Sequence, residues 1–304
     1  MRPALLASFL LAPGLVFGAA RRVAAHDAPY EEIAELTEEL AQRPHDVALL
    51  LERAEIWLQE RNPERAADDL SLARTLDPDA DIERSSLLWA DMWMQRGRPA
   101  EAEAELDRAV DRGSLAALAR RAEVRETMER WTAALADYDA VLARRVTVEM
   151  ALGRGRVLER LGRADEAAAG YARDAARLGG AVPVRLARVA TLRGLGRFDD
   201  ALQEVQRVMD RSPVKTRWLL LRGDLLEAAG RADLARAARE LALGDAERML
   251  RRRRSLAARL HYARALLANG RRTEARDQLV RVQSASPALA SQAAALLGVL
   301  GGDQ

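Results

Sequence analysis

The side chains able to carry out acid–base or metal chemistry are few in this chain of 304 residues. The three histidines, His26, His45 and His261, are far apart in sequence, so none has a second histidine at the short spacing that a metal site on one helix uses. The chain has no cysteine, which excludes disulfides, thiolate catalysis and cysteine-ligated zinc. We therefore predict no catalytic residue and no metal site.

Two glycine pairs and a single lysine are the remaining candidates for binding a cofactor phosphate. The pairs are Gly153-x-Gly155 and Gly194-x-Gly196. Neither follows a predicted strand, as a dinucleotide-binding turn requires. Lys215 follows Pro213 and Val214 instead of the glycines of a phosphate loop. The sequence thus predicts no cofactor.

An alanine that returns at a nearly constant spacing organises most of the chain. The repeated residues are Ala66, Ala102, Ala134, Ala167, Ala201, Ala235 and Ala275. Their successive spacings are 36, 32, 33, 34, 34 and 40 residues. A period of about 34 with a fixed small residue predicts stacked helical hairpins, because a small side chain lets two helices approach closely. No stretch has the sustained two-residue alternation of a strand, so the predicted fold is all-α.

Other positions keep the same period. Twelve residues before each repeated alanine the side chain is small in six of the seven units. Five residues before it a glycine is usual, and glycine permits the left-handed backbone of a tight turn. These glycines are Gly97, Gly162, Gly196, Gly230 and Gly270. Arg61 and Glu129 occupy the same position in the first and third units.

This pattern resembles the tetratricopeptide repeat (TPR), and in particular exported bacterial TPR proteins, over residues 47–289. The resemblance implies a right-handed superhelical solenoid of about seven TPR-like hairpins, starting near 47, 83, 115, 148, 182, 216 and 256. An N-terminal helix and turn over 26–46, helical from Tyr30 to Arg43, and a C-terminal helix and tail over 286–304 are predicted to cap its ends. Asp174 and Arg239 stand where core residues are expected in the second helices of the fourth and sixth units, so we predict looser packing in both units. We predict Asp245 as the N-cap of a lengthened helix after the sixth unit.

The N-terminus has the features of a secretory signal peptide over residues 1–25. Arg2 precedes an apolar stretch from Ala4 to Phe17, and small residues follow. Cleavage is predicted after Ala20 or Ala25, and Ala25 is preferred because a cut at Ala20 would leave two arginines next to the cut. No cysteine follows the apolar stretch, which excludes a lipoprotein. The expected location is the periplasm or outside the cell, and an uncleaved anchor is the alternative.

The charges are distributed unevenly. Removal of residues 1–25 changes the formal net charge from +2 to −1, so the basic whole-chain balance is no argument for nucleic acid. Residues 26–113 carry 23 acidic and ten basic side chains, whereas residues 114–304 carry 23 acidic and 35 basic ones. Three interpretations stay open: head-to-tail self-association, a cationic partner, and solvated faces without a partner. For the run Arg251 to Arg254 two interpretations stay open: a solvated helix, and contact with an anionic surface or an acidic partner.

The resemblance also places a binding groove. In TPR proteins the first helix of each hairpin lines the concave surface through its second, fifth, ninth and twelfth positions. In this chain these positions carry both leucines and acidic residues, a combination that suits an extended or helical peptide with apolar and basic residues. The predicted groove residues are Leu51, Glu55, Leu87, Asp91, Met94, Glu123, Glu126, Leu152 and Arg156. The alternative is that the leucines pack against neighbouring helices.

The sequence therefore predicts an exported, non-enzymatic scaffold that binds a partner protein or peptide in the groove. The alternative is a structural or accessory subunit of an envelope enzyme or secretion complex that acts by self-association. An enzyme is the third hypothesis. No nucleic-acid partner and no stable membrane insertion after signal cleavage are expected.

Overall fold

The computed structural model describes residues 17–301, with side chains over 29–300, and every regular element in that range is an α-helix. The first eight helices are α1 (Phe17–Gln42), α2 (Val47–Gln59), α3 (Pro63–Leu76), α4 (Ile82–Gln95), α5 (Pro99–Asp111), α6 (Leu115–Thr127), α7 (Trp131–Arg144) and α8 (Val148–Arg160). The others are α9 (Ala164–Arg177), α10 (Val182–Gly194), α11 (Phe198–Asp210), α12 (Thr216–Ala228), α13 (Ala232–Arg253), α14 (Leu256–Ala268), α15 (Arg272–Ala285) and α16 (Pro287–Gly301). The predicted all-α fold is confirmed.

The helices form two compact units, of which the first ends at Arg130 and the second begins at Trp131. In the first unit, α2 pairs with α3 and α4 with α5, and the first helices α2, α4 and α6 lie side by side. Ala66 and Ala102 are fully buried at the helix crossings, as a small side chain at a close approach must be. Helix α1 packs on α2 through Ile33, Leu36 and Leu40.

In the second unit each helix from α7 to α16 packs against the next one in the chain. The repeated alanines of this unit are buried in the same way as those of the first. Gly153 and Gly155 lie inside α8, where Tyr138 from α7 and Tyr171 from α9 press their rings against the helix backbone. The first glycine pair is therefore a packing device, because any Cβ would overlap a tyrosine ring.

The turns between paired helices use the left-handed backbone that the glycines predict. Gly97, Gly162 and Gly196 have φ of 69°, 73° and 71°. Arg61 and Glu129 adopt the same conformation with φ of 58° although both carry a side chain. A side chain in this region costs roughly 1–2 kcal/mol, so the first and third repeats contain a strained turn.

Two helices differ from the expectations. Helix α13 runs without a break through Gly244, so the prediction of Asp245 as an N-cap is wrong. The Asp245 carboxylate instead accepts a hydrogen bond of 2.8 Å from Thr216 Oγ1 at the start of α12. Helix α1 begins at Phe17 instead of Tyr30 and passes through both predicted cleavage positions. The first 16 residues of the predicted signal peptide lie outside the described residues.

Candidate pocket on the first helices of unit one

A concave pocket of about 520 Å³ lies on the face formed by α2, α4 and α6. Its residues come from the second half of α2, from the middle and end of α4, from the turn after α2 and from the middle of α6. They are Glu55, Leu58, Gln59, Arg61, Leu88, Asp91, Met94, Gln95 and Arg120. Three predicted groove residues, Glu55, Asp91 and Met94, therefore line one pocket. It is called the α2–α4–α6 pocket below.

Each acid of the pocket is paired with an arginine from the following first helix. Arg84 Nη2 of α4 lies 2.8 Å from Glu55 Oε2 of α2. Arg120 of α6 donates to Asp91 Oδ1 of α4 through Nε at 2.9 Å and Nη2 at 2.7 Å. Both pairs join residues 29 apart in sequence. The pairs connect successive hairpins along the pocket wall.

Arg120 serves two carboxylates, since its Nη1 also donates to Glu123 Oε2 at 2.7 Å. Burial lowers the pKa of the Arg120 guanidinium. The negative charges of Asp91 and Glu123, together with the hydrogen bonds that they accept, outweigh the effect of burial and raise the pKa of Arg120 above its ordinary value. Arg120, Asp91 and Glu123 thus form a charged network in which two carboxylates share one guanidinium group. The acids are about half exposed, so they remain accessible to a ligand.

Apart from Glu55, Asp91, Arg120 and the cationic Arg61, the pocket wall is apolar or carries amides. Met94 and Leu88 of α4 and Leu58 of α2 supply its apolar surface. Gln95 Nε2 donates to the Leu58 carbonyl at 2.8 Å, and Gln95 Oε1 is a buried acceptor without a partner. The pocket thus offers carboxylate and amide acceptors beside an unbranched, adaptable methionine.

The other predicted groove residues do not line this pocket. Leu51 is only 2% exposed and belongs to the core of the first unit, so its assignment to an open groove is wrong. The same buried cluster includes Ile33 of α1 and Leu70 of α3. Leu87 and Glu126 are half-buried outside the pocket lining. Leu152 and Arg156 lie on α8 of the second unit.

The predicted groove residues did not include the basic and amide side chains that line the pocket or pair with its acids. Arg120 lines the pocket and Arg84 lies outside its lining, and both belong to the repeats that follow their acids. Arg61 lies in the turn after α2, and Gln95 is the last residue of α4. The 29-residue separation of both ion pairs is the signal that could have identified Arg84 and Arg120.

In the part of the chain that the structure describes, no group of three histidine, aspartate or glutamate side chains is placed to hold a metal ion. Burial lowers the pKa of His261, and the nearby Arg264 and Arg217 lower it further. Over residues 17–301 no helix has both the length and the apolar character needed to cross a bilayer.

Comparisons with known proteins agree with the repeat architecture. The sequence matches the tetratricopeptide repeat family over residues 33–81, 119–183 and 186–247, which together are more than half of the chain. The chain belongs to the tetratricopeptide repeat family, as predicted. No curated protein sequence matches it.

Several solved structures are similar. Yeast Tom70 has a TM-score of 0.54 and 16% identity, over 90% of this chain and 59% of that one. A tetratricopeptide repeat protein from Parabacteroides merdae has a TM-score of 0.49 and 16% identity, over 84% of this chain and 99% of that one. PilF from Pseudomonas aeruginosa has a TM-score of 0.49 and 17% identity, over 73% of this chain and 96% of that one. At such low identity the likeness to Tom70 shows the fold alone.

Proposed function

We propose that this protein is an exported scaffold that binds a segment of a partner protein in the α2–α4–α6 pocket. TPR proteins are generally non-enzymatic and typically bind proteins or peptides, and the fold is consistent with such a scaffold. The observation that carries the proposal is the open pocket that places Glu55 and Asp91 beside Met94.

The chemistry of the pocket favours a segment with basic and apolar side chains. A lysine or arginine of the partner would compete with Arg84 and Arg120 for the half-exposed carboxylates of Glu55 and Asp91. An apolar side chain next to it would cover Met94 and Leu88 and remove apolar surface from water. A donor on the partner would also satisfy Gln95 Oε1. The pocket acids already have arginine partners, so a basic side chain of the partner replaces an existing ion pair. The favourable binding energy comes from forming the new ion pair in a concave site that excludes part of the solvent.

Selection from a displayed random peptide library tests this specificity. The immobilised protein is expected to enrich peptides that combine lysine or arginine with leucine or another apolar residue. The double variant Glu55→Gln, Asp91→Asn removes both acidic charges of the pocket without changing side-chain size, and it should lose at least tenfold in affinity for the enriched peptides. Asp111→Asn with Glu129→Gln is the matched control, because both acids are exposed and make no ion pair with a described residue. Equal loss in both double variants would contradict the proposal.

Export is supported by the signal-peptide features of residues 1–25. We expect protein recovered from the periplasm to begin at His26, which an intact-mass measurement determines. A chain that retains Met1 and is found only in the cytoplasm would contradict export without affecting the pocket. The localisation and the binding site are thus tested separately.

A further inference from the structure

The exposed side of α1 is strongly acidic. Its inner side packs against the first unit through Ile33, Leu36 and Leu40. The exposed side of the same helix carries Glu31, Glu32, Glu35, Glu38 and Glu39. Glu39 pairs with Arg43 at 2.5 Å, and the other four form no ion pair with any residue that the structure describes. Glu31, Glu35 and Glu38 are spaced as one stripe along the helix.

The end of α13 has the opposite charge. This helix has 22 residues whereas α3 and α9, the second helices of their hairpins, have 14, and the extra turns carry the arginines. The basic residues are Arg248, Arg251, Arg252, Arg253 and Arg254. Arg251 pairs with Glu247 at 2.7 Å and Arg248 lies 3.7 Å from Asp245. Arg252, Arg253 and Arg254 are exposed and have no acidic partner among residues 29–300.

These arginines border a cleft. The cleft has a volume of about 150 Å³ and lies between the last turns of α13 and the segment before α12. Arg248, Arg252 and Arg253 line it together with Met249 and Pro213. Arg248 and Arg252 are one helical turn apart, so they present two guanidinium groups on the same side of α13. A helix carrying carboxylates at similar spacing is complementary to this surface.

We propose that α1 of one copy docks on the basic end of α13 of a second copy. Charge complementarity favours a second copy as the occupant, because the described part of α1 has four unpaired carboxylates and the α13 end has three unpaired guanidinium groups. Glu31 to Glu38 span about 10 Å at 1.5 Å per residue, which covers the roughly 6 Å between Arg248 and Arg252. Several pairs can therefore form at once between two helices lying side by side.

The predicted contact is heterologous, since it joins different surfaces of the two copies. Such a contact produces open chains or rings instead of a symmetric dimer. Each exposed ion pair contributes at most about 1 kcal/mol, so several pairs yield an association that depends on concentration and on salt. Screening over about 8 Å at physiological ionic strength should weaken it strongly.

Sedimentation velocity of the purified chain, with the same N-terminus in every variant, tests the proposal. At low salt the sedimentation coefficient should rise with protein concentration, and 0.5 M NaCl should abolish the rise. The acidic-helix variant, Glu31→Arg, Glu35→Arg and Glu38→Arg, should remain monomeric. The basic-end variant, Arg248→Glu, Arg252→Glu and Arg253→Glu, should also remain monomeric. An equimolar mixture of the two variants should associate again, because each now carries the charge that the other lacks.

The matched control reverses three exposed arginines of the second unit that have no ion pair there, Arg144, Arg145 and Arg193. This triple change to glutamate alters the net charge as much as the basic-end variant does, but it should leave association intact. Failure of the mixed variants to associate would overturn the proposal, as would a monomer at every concentration at low salt. Binding of vesicles with anionic lipids that the basic-end variant loses, without self-association of the parent, would assign the surface to a membrane and overturn it as well.

Discussion

Arg120 of α6 holds Asp91 of α4 through two hydrogen bonds to one carboxylate oxygen, at 2.9 and 2.7 Å. The same guanidinium also binds Glu123, so its loss would leave two carboxylates facing each other across the junction of two hairpins. Arg120→Met keeps most of the side-chain stem and removes the charge. We expect it to lower the free energy of unfolding by about 1 kcal/mol, since a network of half-exposed ion pairs lies at the upper end of surface values. Urea denaturation at low salt measures this change.

Arg112→Met provides the control for that measurement. Arg112 pairs with Asp79 at 2.9 Å, and both side chains are mostly exposed. Solvent screening makes such a pair weak, so its loss should change the unfolding free energy by less than about 0.5 kcal/mol. Equal effects of the two variants would show that the Arg120 network does not connect α4 and α6 energetically.

The glycines of α8 give a prediction on packing. A Cβ added at Gly155 would overlap the buried ring of Tyr171, and neither can move without disturbing the core. Gly155→Ala should therefore destabilise the protein by roughly 1–3 kcal/mol, although alanine is the better helix former. Gly194 of α10 has open space around its Cβ position, so Gly194→Ala should stabilise by about 0.5–1 kcal/mol. Thermal unfolding of the two variants should shift in opposite directions.

The sequence predicted the repeat architecture because small residues at helix crossings and glycines in turns leave a period that needs no tertiary information. The sequence shows the 29-residue separation shared by Glu55–Arg84 and Asp91–Arg120, but whether these side chains meet depends on how far each hairpin rotates against the next. The continuous α13 was missed for a similar reason. Gly244 weakens a helix locally, but Ala242 and Ala246 on either side are fully buried and hold it in place. Tertiary packing there overrides the local propensity.

The strained turns give a prediction at positions that lack glycine. Glu129 has φ of 58°, and Gly97 occupies the same place in the preceding repeat with φ of 69°. Glu129→Gly should raise the free energy of unfolding by about 1 kcal/mol, because glycine removes the steric cost of the left-handed backbone. Gly97→Ala should lower it by a similar amount, since its Cβ would meet no atom within 4 Å and only the backbone cost changes. Changes of the same sign in both variants would contradict this explanation.

Asp174 occupies a core position that is apolar in every other repeat. The equivalent residues, seven after each repeated alanine, are Ala73, Ala109, Val141, Val208, Ala242 and Val282. All of them are buried, and Asp174 itself is 1% exposed. Neither of its carboxylate oxygens has a hydrogen-bond partner, and its nearest charge is Arg173 Nε at 3.5 Å. The predicted weak point of the fourth repeat is therefore a buried, unsatisfied carboxylate within close packing.

Asp174→Val should increase the stability of the protein, because it replaces this carboxylate by an apolar group of similar size. An unsatisfied buried polar group costs about 1–3 kcal/mol, and the variant should recover most of that amount as a higher urea midpoint. Asp174→Asn removes the charge but keeps a polar group without partners, so its midpoint should lie between those of the parent and Asp174→Val. Glu240→Val on the exposed side of α13 controls for the change in charge and β-branching, and it should not raise the midpoint. A lower midpoint for Asp174→Val would mean that the carboxylate stabilises the fourth repeat instead of weakening it.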